Sequence, residues 1–403
     1  MWMNLPGFLR IQPAMIASLG LFFAGTGEAV AADTISKTAL RAAVKRGTEL
    51  VVGRQESLGP RGTTSSEWPY EGVYRVRSPG KRGGIIPMGY RVGGTAICSW
   101  ALLKTPAFRS SKLTQAAVKR GRDFIVASLK DPLMSPGFNS TYDVRGWGHA
   151  YGLQFLLEAR ASGKLGSRKA FDEPIRKLVS VLESTEIVRI GGWNYSRRGG
   201  ASKSSPPSTF MTAATLQALF AAAASGFKVD PDVVDRALDS LEDARLDSGA
   251  FQYATYPRVK SGRGFEDVPG AVGRMPLCEV TLYLAGRGKV ERIRSSLEAF
   301  FEHWGELEKR RKKTGTHEPP YMIAPYYFFF AHYYAAQAIE LLPTRLRTAY
   351  RQRLYKLLWK IRENDGGWND RVFERSKSYS TAMTILAILQ PGLDKPAAWK
   401  KKK

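Results

Sequence analysis

The sequence has few cysteines and histidines, with two and four among its 403 residues. The cysteines, Cys98 and Cys278, have no second cysteine nearby, which excludes a zinc ribbon and a CxxC redox motif. After the N-terminus no run of about 18 uncharged apolar residues occurs, so the body of the chain is not a membrane-spanning bundle. Phosphate-binding and GxSxG motifs are also missing, and we expect no cofactor and no metal.

Acidic residues are scarce as well, with 36 Asp and Glu against 61 Lys and Arg, a net charge of +25. Such an excess attracts an anionic surface such as an acidic polysaccharide or a phospholipid. Nucleic acid is not expected, because no binding motif accompanies the charge. The loops that carry many of these cations, and the basic tail, are Arg75–Arg82, Arg197–Lys203, Arg258–Arg263, Lys309–Lys313 and residues 395–403.

Residues 1–31 have the three parts of a secretory signal. Arg10 supplies a basic start, an apolar run covers residues 13–24, and small residues end the segment at Ala29-Val30-Ala31. The pattern predicts export to the periplasm, the cell envelope or the medium. A retained anchor or a core helix is the alternative.

The remaining chain, residues 32–403, contains internal repeats. The two clearest copies share a Gly-Gly-Trp-Asn corner, at 191–194 and 366–369, between an amphipathic helix and a second helix rich in Ala, Thr and Leu. Weaker copies keep an aromatic residue at the corner: Trp68, Phe138, Phe251 and Tyr321. The six corners are about sixty residues apart, a spacing typical of a repeat architecture.

Twelve helices in six hairpins follow from this pattern. The first helices are predicted to begin near Lys37, Leu113, Asp172, Pro231, Val290 and Arg345. The second helices are predicted at 95–104, 147–160, 210–225, 277–286, 325–341 and 380–389. Because the second helices are apolar nearly all round, they should be buried inside a ring of first helices. An open solenoid of the same hairpins is the alternative.

These corners and helical pairs resemble the prenyltransferase and squalene oxidase repeat of squalene-hopene cyclases, lanosterol synthases and protein prenyltransferase β subunits. The resemblance covers residues 37–391. It implies an all-α fold, an (α/α)6 toroid with a central cavity like that of the terpenoid cyclases. A fold of this kind does not by itself define a reaction.

The residues that the family uses for chemistry are mostly missing. Squalene-type cyclases protonate an alkene with a DxDD motif, which this sequence lacks. The β subunits hold zinc through Asp, Cys and His, and here Asp143, Cys278 and His332 come from three separate hairpins in no recognised spacing. We therefore expect a protein that binds a ligand or a partner protein through its lumen or its basic loops. The alternative is an enzyme that uses Asp143 or Glu279 as an acid on an isoprenoid or a glycan.

The early turns of the second helices should project into the lumen. Aromatic walls with a few polar groups suit a lipid, an isoprenoid or a glycan. The predicted ligand-binding residues are Asp143, Arg145, Trp147, His149, Glu279, Tyr327, His332 and Tyr379.

Overall fold

Two sets of α-helices alternate along the chain in a computed structural model. The structure describes residues 34–57, 65–77, 84–137, 144–194, 206–254 and 264–400. The predicted signal, residues 1–31, lies outside these residues, as do Asp143 and the corner residue Phe138. From Ile35 onward the chain is a single unit.

The outer helices each carry one apolar stripe. In the described chain they are α1 (Lys37–Gly53), α4 (Lys112–Ser128), α6 (Lys169–Ser184), α8 (Pro231–Asp243), α11 (Val290–Glu302) and α14 (Thr344–Lys360). In α6, for example, Ile175, Leu178 and Leu182 are buried while the opposite face is exposed. The three- and four-residue spacing of these side chains places them on one face, and burying that face holds the helix against the ring.

The inner helices are buried on nearly every side. They are α2 (Met88–Lys104), α5 (Arg145–Ser162), α7 (Thr209–Ala224), α10 (Met275–Leu284), α13 (Tyr327–Ile339) and α15 (Ser376–Leu389). Shorter elements complete the described chain: α3 (Ala107–Ser110), α9 (Val268–Ala271), α12 (Trp304–Arg310), 3-10 turns at Pro132–Met134 and Gln390–Gly392, and a hairpin of β1 (Val76–Arg77) and β2 (Gly84–Ile85) that pairs Val76 with Ile85. Within the described residues, every helix is too short or too polar to span a bilayer.

The inner helices form a closed ring. Each packs on the next in the order α2, α5, α7, α10, α13 and α15, and α15 packs back on α2. The outer helix α1 also packs on α15, which joins the first hairpin to the last. The predicted (α/α)6 toroid is therefore confirmed, and the open solenoid is excluded.

The corner tryptophans make the same hydrogen bonds in three repeats. The indole Nε1 of Trp68, Trp193 and Trp368 donates to a carbonyl at the end of the preceding outer helix, at 2.6, 2.7 and 2.9 Å. Their backbone N–H groups donate to the hydroxyls of three threonines on the following inner helix, at 2.9–3.1 Å: Thr95, Thr212 and Thr381. Trp68 is thus a full copy of the corner, although its sequence lacks the two glycines.

The helix α2 begins at Met88, seven residues before the predicted start at Thr95. The sequence did not predict this first part of the helix, because it contains glycines and glycine ordinarily disfavours helix formation. Here they allow close packing: a Cβ on Gly89 would lie 2.3 Å from the carbonyl oxygen of Val144, and one on Gly93 would lie 2.2 Å from the Trp147 ring.

Candidate functional site

Aromatic rings fill the half of the lumen nearest the corners. Tyr70 lies at the centre of a group that we call the corner-side cluster. Its ring centroid is 4.8 Å from that of Tyr379, 5.1 Å from Tyr90 and 5.8 Å from Trp147. These distances are typical of edge-on aromatic contacts.

A second group of rings continues the cluster across the axis. Phe210 lies 4.1 Å from Phe330 and 5.1 Å from Tyr327, and Tyr326 lies 4.6 Å from Tyr327. The space left between the two groups is about 30 Å³, which is enough for only about two or three water molecules.

Asp370 and Arg371 are the charged members of this cluster, and both are fully buried. The Tyr70 hydroxyl donates to Asp370 Oδ2 at 3.1 Å and accepts from Arg371 Nε at 3.3 Å. Asp370 Oδ1 has no hydrogen-bond partner among the described residues. Burial raises the pKa of Asp370 to about 6, although Arg371, Ser380 and Tyr70 partly oppose this rise.

The position of Asp370 in its repeat explains why it reaches the axis. It lies two residues after the corner Trp368, as Tyr70 lies two residues after Trp68. The repeat geometry therefore directs this second residue toward the lumen. The predicted site residues did not include Asp370, Arg371, Tyr70 or Tyr90. The offset of two residues from the corner is the sequence signal that identifies Tyr70 and Asp370 as lumen residues.

Arg274 and His317 lie at the edge of the same cluster, and the sequence did not single them out. Arg274 is buried and donates to the carbonyl oxygens of Phe251 and Gly270. His317 is half-buried, and its Nε2 lies 3.4 Å from the Tyr326 hydroxyl. Burial lowers the pKa of both side chains.

Three predicted site residues meet in the corner-side cluster: Trp147, Tyr327 and Tyr379. Arg145 lies just outside it at the start of α5, where it is buried and donates to the Ser135 carbonyl. Asp143 lies outside the described residues.

The two predicted histidines contact partners outside the corner-side cluster. His149 Nε2 lies 3.0 Å from the carbonyl oxygen of Met134, and burial lowers its pKa to about 4. His332 Nε2 accepts from Trp304 Nε1 at 2.8 Å. These two imidazoles thus lie against the 3-10 turn at Pro132–Met134 and against α12 rather than in the cluster. An inner helix that is apolar all round gives no indication of which face meets the axis.

Glu279 is held in a two-point ion pair. Arg245 donates to its two carboxylate oxygens at 2.9 and 3.0 Å. Burial raises the pKa of Glu279, while Arg245 opposes that rise. This two-point pair links α10 to the preceding corner.

The other half of the lumen contains a cavity of about 360 Å³, which we call the tail-side cavity. It lies toward the C-terminal ends of the inner helices. Tyr151 and Tyr334, whose hydroxyls are 3.0 Å apart, lie between it and the corner-side cluster. The chain segment 393–397, after the last helix, passes along its outer side.

Amides and aromatic rings line the tail-side cavity. Gln154 donates to Glu158, which also accepts from Lys104 at 2.6 Å, and Gln217 donates to Gln337 at 3.0 Å. Trp100 stacks edge-on against Tyr333. The indole Nε1 of Trp100 and Oε1 of Gln390 are buried without a hydrogen-bond partner in the described chain.

The basic loops are largely neutralised where the structure describes them. Arg75 pairs with Glu71, Lys309 with Glu306, and Arg310 and Lys312 with Glu318 and Glu363. The basic residues Lys81, Arg82, Arg197, Arg198, Lys203, Arg258, Lys260 and Arg263 lie outside the described residues. Among the described residues no group of three His, Cys, Asp or Glu side chains could hold a metal ion.

Comparison with known proteins identifies the fold. No family model and no curated protein matches this sequence. Solved structures do match: the type II terpene cyclase MstE from Scytonema has a TM-score of 0.50 at 12% identity, over 88% of this chain and 98% of that chain. The GH76A α-1,6-mannanase from Salegentibacter sp. HEL1_6 has a TM-score of 0.54 at 12% identity, over 87% and 98%.

A D-mannose isomerase is similar to the same degree, with a TM-score of 0.54 at 14% identity over 89% of this chain and 98% of that chain. The chain is therefore an α/α toroid of the kind found in a terpene cyclase and in enzymes named for mannan and mannose. At these identities the similarity establishes the fold alone.

Proposed function

We propose that this protein binds a carbohydrate in the tail-side cavity. The observation that carries the proposal is the lining of that cavity, where amide side chains and an indole meet in about 360 Å³ within the ring. Cavities of about 300–1,000 Å³ with a few fixed polar groups are typical of small-molecule sites.

The lining matches sugar chemistry in two respects. The face of Trp100 and the ring of Tyr333 offer flat apolar surfaces for the C–H face of a pyranose. Gln154, Gln217 and Gln337 both donate and accept hydrogen bonds, as hydroxyl groups do.

The experiment is calorimetric titration of the protein with neutral hexoses, their disaccharides and hexuronic acids. Trp100→Phe keeps one six-membered aromatic ring and removes the five-membered ring of the indole with its N–H, so less flat surface is left for the sugar. We expect about fivefold to tenfold weaker binding of the sugar that binds best. Gln115→Leu is the matched control, because this exposed amide lies on α4 and donates to the Phe108 carbonyl.

Equal losses in the two variants would contradict the proposal, as would the absence of heat with every sugar. Production of a new saccharide during the titration would show that the protein is an enzyme acting on a glycan.

A second candidate function, acid catalysis on an isoprenoid, has one observation in its favour. Asp370 is buried among aromatic rings and has a pKa raised to about 6, which keeps a proton available near neutral pH. The space of about 30 Å³ within the corner-side cluster is too small for an isoprenoid, which places this candidate second. Incubation with a linear isoprenoid tests it: a cyclic product that is lost in Asp370→Asn would favour the enzyme.

A further inference from the structure

A large groove lies on the surface of the toroid, outside the lumen. Its volume is about 1,170 Å³, and it runs between the outer helices α1 and α14. Leu40 and Val44 of α1, Tyr355 of α14, and Ile388 and Leu389 of α15 give it an apolar floor. It shares no lining residue with the tail-side cavity, although residues 389–393 pass between the two.

A row of cations borders this floor. Lys37, Arg41 and Lys45 line the groove and follow one another at intervals of four residues along α1, so they share one face of the helix. All three are exposed, and none forms an ion pair with a described residue. Like charges at this spacing destabilise a helix.

The lining contains no Asp or Glu among the described residues. Arg351 also lines the groove, and its carboxylate partner Glu340 lies outside the lining. An apolar floor with a positive edge is complementary to an amphiphile that has an apolar chain and an anionic head.

We propose that this groove binds an anionic phospholipid from a membrane surface. The acyl chain lies on the floor formed by Leu40, Val44 and Leu389, and the phosphate lies against Lys37, Arg41 and Lys45. The chain has a net charge of +25, which draws the protein to an anionic membrane. Because the groove opens between outer helices, a lipid enters it without opening the ring.

The experiment measures binding of the full chain to vesicles of phosphatidylcholine with and without phosphatidylglycerol. The test variant is the double substitution Arg41→Gln and Lys45→Gln. Each cation near an anionic surface contributes about fivefold to affinity, so we expect about 30-fold weaker binding to the anionic vesicles. The matched control is Lys119→Gln with Arg176→Gln, which removes two exposed cations from α4 and α6.

All variants keep residues 1–31, so any contribution of that segment to vesicle binding cancels in the comparison. The control should bind within about threefold of the unaltered chain, since its cations lie on other outer helices. Leu40→Asn tests the apolar floor with the charges intact, and we expect it to weaken binding as well.

Three outcomes would overturn the proposal. Equal binding to vesicles with and without phosphatidylglycerol would show that the anionic head group is not recognised. An equal loss of binding in the control variant would show that net charge alone, and not the groove, determines binding. Binding of soluble glycerophosphate as tight as that of the vesicles would show that the acyl chain contributes nothing.

Discussion

The hydroxyl of Tyr70 donates a hydrogen bond of 3.1 Å to Asp370, a residue 300 positions later in the sequence. Tyr70 follows the first corner and Asp370 follows the last, so the bond joins the two ends of the repeat array at the axis of the ring. Arg371 donates to the same hydroxyl. The ring is thus closed by a buried polar contact as well as by the packing of α15 on α2.

Replacing this hydroxyl should weaken the closed ring. Tyr70→Phe leaves Asp370 and Arg371 buried without their shared partner, and we expect the free energy of unfolding to fall by about 1–3 kcal/mol. Tyr90→Phe is the control, since the Tyr90 hydroxyl makes no hydrogen bond to a described residue. Urea unfolding of both variants gives the comparison, and equal losses would contradict a role for the bond.

Asp370 should make stability depend on pH. Its folded pKa of about 6 exceeds the value of about 4 in an unfolded chain, so the folded state binds the proton more tightly. The stabilisation that comes from protonated Asp370 is fully present below about pH 4 and is lost as the pH rises through 6. Relative to the unaltered chain, Asp370→Asn should gain about 3 kcal/mol between pH 4 and 7. A flat difference between the two unfolding curves would contradict this.

His332 should act in the opposite direction. Burial lowers its folded pKa to about 4, so the imidazole is neutral in the fold and charged in an unfolded chain below about pH 6.5. Its contribution is present above pH 6.5 and is lost as the pH falls toward 4. In His332→Gln, the stability lost between pH 6.5 and pH 4 should be smaller by about 3 kcal/mol than in the unaltered chain. His303→Gln, which replaces a half-exposed histidine, is the control in the same series of unfolding measurements.

Each corner threonine should stabilise the fold because its hydroxyl oxygen accepts a hydrogen bond from the backbone N–H of the corner tryptophan. Thr381→Val leaves the buried backbone N–H of Trp368 without its partner, and we expect a loss of about 1–3 kcal/mol in the free energy of unfolding. On the same helix, the Thr384 hydroxyl donates only to the Ser380 carbonyl at 2.9 Å. Thr384→Val should therefore cost less than Thr381→Val when both are unfolded in urea.

The two cysteines should stay reduced. Cys98 lies on α2 and Cys278 on α10, which belong to the first and fourth hairpins and so lie opposite each other in a ring of six. Both are buried, and burial raises the pKa of both thiols, so little reactive thiolate forms. Thiol titration should find two free thiols per denatured chain and slow reaction in the native protein. A disulfide between them would contradict the ring.

The sequence predicted most helices well, because the apolar pattern and the capping residues of a helix lie within its own segment. The outer helices α1, α8 and α11 begin where their apolar stripes and first-turn signals predict. The start of α2 was missed, because Gly89 and Gly93 are explained only by the approach of Val144 and Trp147 from the next hairpin. Contacts between hairpins are not encoded in any single segment.

The site was harder to predict than the fold. Trp147 and Tyr379 lie next to each other in the lumen, because both occur in early turns of inner helices. His149 and His332 also lie on inner helices, yet their partners are Met134 and Trp304. Residue type and depth in a helix therefore predict burial, while the direction of the side chain depends on the neighbouring hairpins.

The segment after α15 crosses the ring and leads away from the start of α1. The backbone N–H of Trp399 donates to the carbonyl of Leu284 at the end of α10, and its ring stacks on Phe220 of α7. At the start of the toroid, Ile35 lines the same groove as Pro391 and Gly392. A circular permutant that joins Trp399 to Ile35 would need a linker across the lumen, whereas one that joins Gly392 to Ile35 would need only a short connection.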